Sequence, residues 1–190
     1  MERSEAACVQ QDQTIRFSHR VDTRPEAKHV SMDKFLGGMR RFAGAVNIIT
    51  VRQGGVSYGL TATSVCSLSA EPPRLLVCVN MKGASFDAIR QRGALAVNTL
   101  AVGQEDTAQR FGGAGDANID SFETGKWQLS PTFDLPMLEG ACCTFECSLC
   151  EVIDSGTHAL MIADIVHVSP SISVSPLVYH DGTFCGLLRL

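Results

Sequence analysis

Residues 45–63 read AVNIITVRQGGVSYGLTAT, and this stretch decides the fold class. Residues 45–52 and 56–63 are rich in β-branched and aromatic side chains. They flank Gln53-Gly54-Gly55, the pattern of two strands joined through a glycine turn. Upstream, Met32, Phe35, Leu36, Met39 and Phe42 fall at helical spacing on one face. The sequence therefore predicts a helix that Ser31 can cap, that Gly37 and Gly38 weaken and that Gly44 ends. Downstream, residues 74–80 (RLLVCVN) form a continuous apolar run after Pro72-Pro73, as suits a buried strand. Short helices are expected at 83–92, with Phe86 and Ile89 inward, and at 104–111. Strands are expected at 94–100, 141–154, 157–168, 177–180 and 183–188, with a loop-rich stretch at 112–136. Seven or eight strands with a few short helices indicate a mainly β protein, a closed or split β-barrel. The C-terminal half lacks the strand–helix alternation of a doubly wound sheet.

Composition narrows the function. The 190 residues are 45% hydrophobic and 19% charged, with a formal net charge of -4. This suits one soluble domain, residues 31–190, preceded by a polar, aperiodic arm at 1–30 that can drape over another subunit. An acidic chain with 6% aromatic residues is a poor candidate for gripping phosphates or stacking bases, so no nucleic-acid partner is expected. No run is long enough for a membrane span. Residues 1–13 hold no apolar signal core, and no Asn-X-Ser/Thr acceptor occurs, so a cytoplasmic protein with reduced thiols is expected.

The eight cysteines include Cys143, Cys147 and Cys150, a spacing that in a loop would suggest a metal cluster. On a strand, Cys147 and Cys150 point to opposite faces roughly 10 Å apart. Cys143, Phe145, Cys147 and Leu149 then form one apolar face, the pattern of cysteines used as small hydrophobes. No metal site is expected. The Phe111-Gly112-Gly113-Ala114-Gly115 stretch is a poor nucleotide fingerprint, because no P-loop Lys-Ser/Thr follows it.

Residues 59–73 (GLTATSVCSLSAEPP) gather five hydroxyls among small side chains. Two readings stand here: an ordinary strand with a polar face, or close approach of backbone N–H groups and short hydroxyls to a flat polar ligand. Asn80 and Ser85 flank a helix start, where free N–H groups can hold a phosphate or simply be capped.

Residues 32–188 resemble, in order, the flavin reductase-like family, small NAD(P)H:flavin oxidoreductases that feed two-component monooxygenases. The matching pieces are GAVNIIT (44–50), GLTATSVCSLSAEPPRLLVCVN (59–80), ALAVNTL (94–100), PMLEGACCTFEC (136–147), SGTHALMIADI (155–165) and PLVY (176–179). The resemblance implies an FMN-binding split barrel that uses FMN or FAD with NADH or NADPH, usually as a homodimer. It also implies a separate flavin-dependent monooxygenase that receives the reduced flavin.

By position, Thr61, Ala62, Thr63 and Ser64 are expected to face the flavin. Asn80 and Ser85 mark the phosphate side, with Lys82 as a counter-charge. Phe111 would close one edge, and Asn47 would approach the ring. The family's G-D-H motif stands here as Gly156-Thr157-His158, with Thr157 in the acidic place and His158 as the candidate catalytic residue, positioning the nicotinamide. Two alternatives share this reading of the fold: a flavin-dependent reductase of a corrin or ferric chelate, and a flavin-binding redox sensor without turnover.

Overall fold

The computed structural model describes residues 28–113, 120–171 and 173–188. Most of the expected arm at 1–30, Cys8 and part of the glycine-rich stretch lie outside the described residues. Among the described residues are three α-helices, α1 (Met32–Met39), α2 (Ala84–Arg92) and α3 (Glu105–Phe111), and a short 3-10 turn at Ser121–Glu123. The strands are β1 (Gly44–Ala45), β2 (Asn47–Gln53), β3 (Val56–Ala62), β4 (Val65–Ala70), β5 (Pro73–Asn80), β6 (Ala94–Thr99), β7 (Trp127–Leu129), β8 (Pro136–Leu138), β9 (Cys143–Ser155), β10 (His158–Pro170), β11 (Val178–His180) and β12 (Thr183–Cys185).

Seven strands form one antiparallel sheet in the order β3-β2-β6-β9-β10-β5-β4. The β2–β3 hairpin turns through Gly54 and Gly55, whose φ values of 59° and 83° belong to the left-handed region that glycine enters freely. Strands β3 and β4 lie at opposite edges of the sheet, yet only Thr63 and Ser64 separate them in the chain. Flat, those edges would stand about 29 Å apart. A two-residue link reaches only about 10 Å. The sheet must therefore roll until its edges meet, and because β3 and β4 do not pair, the barrel stays split along that seam.

The register sorts side chains to two sides of the rolled sheet. Ile49, Val51, Leu75, Val77, Leu95, Val97, Cys147, Met161 and Ala163 point inward and are buried, with Phe86 and Ile89 of α2 packed onto them. A second core on the outer surface joins Val46, Ile48, Leu100, Ala108, Phe111, Leu138 and Leu177. Between the two runs a buried polar network centred on Asn98. Its amide donates to Ile48 O (3.1 Å) and Thr50 Oγ1 (3.2 Å), and its carbonyl accepts from Leu138 N (2.9 Å) and Thr144 Oγ1 (3.2 Å). Thr50 Oγ1 donates in turn to Pro136 O at 2.6 Å, pinning β8 to the barrel wall.

The cysteine-rich strand is a structural strand. Cys143, Phe145, Cys147 and Leu149 share the inward face, and burial, then the nearby Glu146 carboxylate, pushes the Cys147 thiol up to about 12. Cys150 is the extra residue of a β-bulge opposite Ile162/Ala163. Beside it the Arg74 guanidinium, 2.6 Å away, holds the Asp164 carboxyl below its ordinary value.

Several expectations are corrected. Twelve strands occur among the described residues rather than seven or eight: β1 is separate from β2, and the small, polar β4 and the three-residue β7 and β8 carry little periodic signal. Helix α1 ends at Met39 rather than at Gly44, and Ser31 contributes its backbone carbonyl, not a side-chain cap. No residue of α1 is buried, and its apolar face is left about half or more exposed.

Candidate functional site

A cleft of about 580 Å³ opens where edge strand β3 meets α3 and the β11–β12 hairpin. Thr61, Ala62 and Thr63 form one wall, Ala108, Gln109 and Gly112 the floor, and Tyr179, Gly182, Thr183 and Phe184 the facing wall. Each part is held for a physical reason. Thr61 Oγ1 donates to Ala108 O at 2.6 Å, which fastens α3 to β3. Gly44 leaves room for Thr63, since a Cβ there would stand 3.1 Å from Thr63 Cβ. As an edge strand, β3 has every second backbone group unpaired by a neighbouring strand. The Thr63 hydroxyl has no hydrogen-bond partner among the described residues.

A second group of sequence-predicted residues gathers at the ends of β5 and β10. Asn80 and His158 are cross-strand partners, and Asn80 Oδ1 accepts from Lys82 N at 2.9 Å. Thr157 Oγ1 lies 2.9 Å from His158 Nδ1. When that hydroxyl donates, the imidazole proton sits on Nε2, and the exposed ring offers an N–H donor to solvent or ligand. Gly156, at φ +84°, makes the tight turn that presents His158. Ser85 Oγ donates to Gly59 O at 3.2 Å and ties the start of α2 to β3. Ser64 links the two groups: it follows Thr63 in the chain, and its carbonyl accepts from Cys78 N (3.0 Å), two residues before Asn80.

Two expected site residues are placed elsewhere. Asn47 is 3% exposed, and its amide donates to Ala45 O (3.0 Å) and Ala62 O (3.4 Å) while its carbonyl accepts from Thr99 Oγ1 (2.8 Å). Its polar atoms are spent on holding β2 in place. Phe111 is 8% exposed and packs edge-on against Phe122 and beside Trp127, with ring centroids 5.0 and 5.4 Å away. It lies beneath the cleft, behind Gly112. Sequence reasoning missed Gln109, Tyr179 and Phe184. The turn pair Asp181-Gly182 between two short strands was the available signal that Tyr179 and Phe184 face one another.

Gly59 has no alternative at its position. A Cβ there would stand 2.7 Å from Phe111 Cδ1 and closer still to Cε1. Gly59→Ala is expected to cost about 1–3 kcal/mol by overpacking. It should also weaken ligand binding, because Phe111 belongs to the helix whose residues floor the cleft. Thermal unfolding and a binding titration check both effects. A further cavity of about 480 Å³ near Gln104, Asp106 and Lys126 contains none of the predicted residues.

The flavin reductase like domain family matches residues 39–188, and the chain belongs to that family. A relative in Pseudomonas syringae pv. syringae, the FMN reductase (NADH) RutF, is 36% identical over 150 residues, which cover 79% of this chain and 83% of the relative. Among solved structures, a flavin reductase domain protein from an Arthrobacter species superposes with a TM-score of 0.76 at 29% identity, covering 84% of this chain and 98% of its own. BorF, the flavin reductase component of a bacterial two-component tryptophan halogenase, superposes with a TM-score of 0.76 at 28% identity, covering 84% of this chain and 100% of its own. No helix among the described residues is long and apolar enough to cross a membrane.

Proposed function

We propose that the protein transfers hydride from a reduced nicotinamide dinucleotide to a flavin held in the cleft beside β3, and that NADH and FMN are its working pair. The carrying observation is the cleft itself. An unpaired strand edge, a free Thr63 hydroxyl and an open cleft whose volume lies within the roughly 300–1,000 Å³ range of small-molecule sites suit a flat, polar, heteroaromatic ring. The names of the relatives support FMN and NADH over FAD and NADPH. Bound flavin supplies the chemistry, accepting two electrons as hydride.

The chain's residues bind and orient. Backbone N–H groups along Thr61–Ser64 donate to the polar edge of the ring and favour negative charge as it develops there. The α2 N-terminus, with Ser85, Asn80 and the Lys82 ammonium, holds the phosphate side; Lys82 makes no ion pair among the described residues. His158 donates to the nicotinamide carboxamide and fixes its approach, and no proton transfer is required of it. Thr157, whose hydroxyl lies 2.9 Å from His158 Nδ1, orients the ring. Reduced flavin then passes to a separate flavin-dependent monooxygenase, a role that the two-component setting of BorF supports. Under anaerobic conditions the yellow absorbance of FMN should bleach only when protein and NADH are both present; bleaching at the protein-free rate would contradict the proposal.

The working unit is a homodimer. Met32, Phe35, Leu36, Met39 and Phe42 are 46–72% exposed, and an eight-residue helix does not persist alone in water. A second copy suits this face, because Asp33 at one end and Arg40 at the other bring opposite charges together when two such helices meet antiparallel. Phe35→Asp is expected to convert the dimer to a species at the 20.4 kDa chain mass in light scattering, with unchanged far-ultraviolet circular dichroism. A variant that remains dimeric would place the interface elsewhere.

A further inference from the structure

The wall of the cleft facing Thr61–Thr63 carries two aromatic side chains that the reading above does not use. Tyr179 and Phe184 are cross-strand partners in the β11–β12 hairpin, with ring centroids 5.4 Å apart at 62°. Phe184 backs the Tyr179 ring edge-on and limits its freedom. On its other side Tyr179 pairs with Gly44, which has no side chain to cover the ring. Tyr179 is consequently 40% exposed although it sits within a sheet. The same Gly44 makes space for Thr63, so one missing side chain opens both walls at once.

The hairpin that carries this wall is braced from outside the cleft. Asp181 N donates to Arg40 O at 3.0 Å, and the Asp181 carboxylate lies 3.7 Å from the Arg41 guanidinium. Asp181 and Gly182 hold the turn with φ values of 50° and 82°. An exposed aromatic ring, held from behind and lining a polar-edged cleft, is built to receive a planar ring.

We infer that Tyr179, backed by Phe184, is the aromatic surface against which the flavin ring packs; this rests on the proposal that the cleft binds flavin. The assignment makes Tyr179 a positioning and affinity residue, with the hydride donor approaching from the side that the hairpin leaves open. It also has an optical consequence. A phenol in van der Waals contact with photoexcited flavin passes it one electron and recovers it on return to the ground state, quenching emission without net chemistry. A phenylalanine in the same place stacks but does not donate.

The test is a titration of FMN into wild type, Tyr179→Phe and Tyr179→Ala, with affinity read by equilibrium dialysis and emission of the bound flavin read separately. Wild type should bind FMN with strongly quenched emission. Tyr179→Phe should keep the affinity within about 3-fold and regain emission several-fold, and Tyr179→Ala should regain emission and lose about 10-fold in affinity, the scale of one lost aromatic stacking contact. If FMN binds wild type and both variants with the same affinity and the same quenched emission, the inference is overturned while the flavin site stands. If wild type binds no FMN at all, the flavin reading of the cleft fails and takes this inference with it. Tyr179→Phe retains the ring packing, so it reports even where Tyr179→Ala perturbs the hairpin.

Discussion

Replacing Asn98 with alanine is expected to remove about 2–5 kcal/mol of stability, which for a chain of this size lowers the thermal midpoint by roughly 5–15 °C. Asn98 is fully buried, and all four of its interactions are with groups that have little or no access to water. Truncation leaves the Leu138 N–H and the Thr144 hydroxyl without their acceptor and opens a void between β6 and β8. Each buried group so orphaned costs about 1–3 kcal/mol. Because Leu138 shares a core with Ala108 and Phe111, loosening β8 also disturbs the helix that floors the cleft. Asn98→Asp keeps the acceptor for Leu138 N–H but sets a carboxylate against the Ile48 carbonyl and Thr50 Oγ1 in a site without water, so it should be at least as destabilising as alanine. Thermal and denaturant unfolding check the order; an alanine variant as stable as wild type would remove Asn98 from the framework of the fold.

His158→Ala is expected to lower kcat/KM for NADH about 100-fold, the scale of misplacing a reactant in a site that works by orientation. The affinity for FMN should change little, because His158 does not line the cleft. A loss confined to the dinucleotide separates a positioning role from general damage. Thr157→Val, which removes the hydroxyl 2.9 Å from Nδ1, should reproduce part of the loss by releasing the ring. Rapid mixing with saturating FMN reads both variants. Turnover at the wild-type rate in His158→Ala would reduce His158 to a turn residue between β9 and β10.

The sequence carried the barrel where side-chain period and turn chemistry agreed. Gly54-Gly55 between two β-branched runs announces β2 and β3, and the long alternating segments at 143–155 and 158–170 announce β9 and β10. It did not carry β4, whose Val-Cys-Ser-Leu-Ser-Ala has small side chains on both faces, so alternation contributes no contrast. The closure of the barrel is equally hidden, because it follows from β3 and β4 being neighbours in the chain and opposite edges of the sheet. That is a fact of pairing, not of composition.

The site was legible in part for a similar reason. Thr61, Ala62 and Thr63 line the cleft because a run of small residues on an edge strand admits a ligand wherever the strand lies. Asn47 and Phe111 have side chains that suit a ligand, but their surroundings use them for backbone bonds and aromatic packing. Tyr179 and Phe184 escaped because a three-residue strand has too few positions to declare a face. What brings them to the cleft is the pairing of β11 with β1.

A flavin reductase of this kind consumes reduced nicotinamide only through its flavin. The direct measurement is the loss of nicotinamide absorbance with purified protein in the four combinations of NADH or NADPH with FMN or FAD, each run also without flavin. The expected result is rapid oxidation that requires flavin and is fastest with NADH and FMN. Flavin binding without nicotinamide oxidation in any combination would contradict the proposed function and leave the protein a flavin carrier.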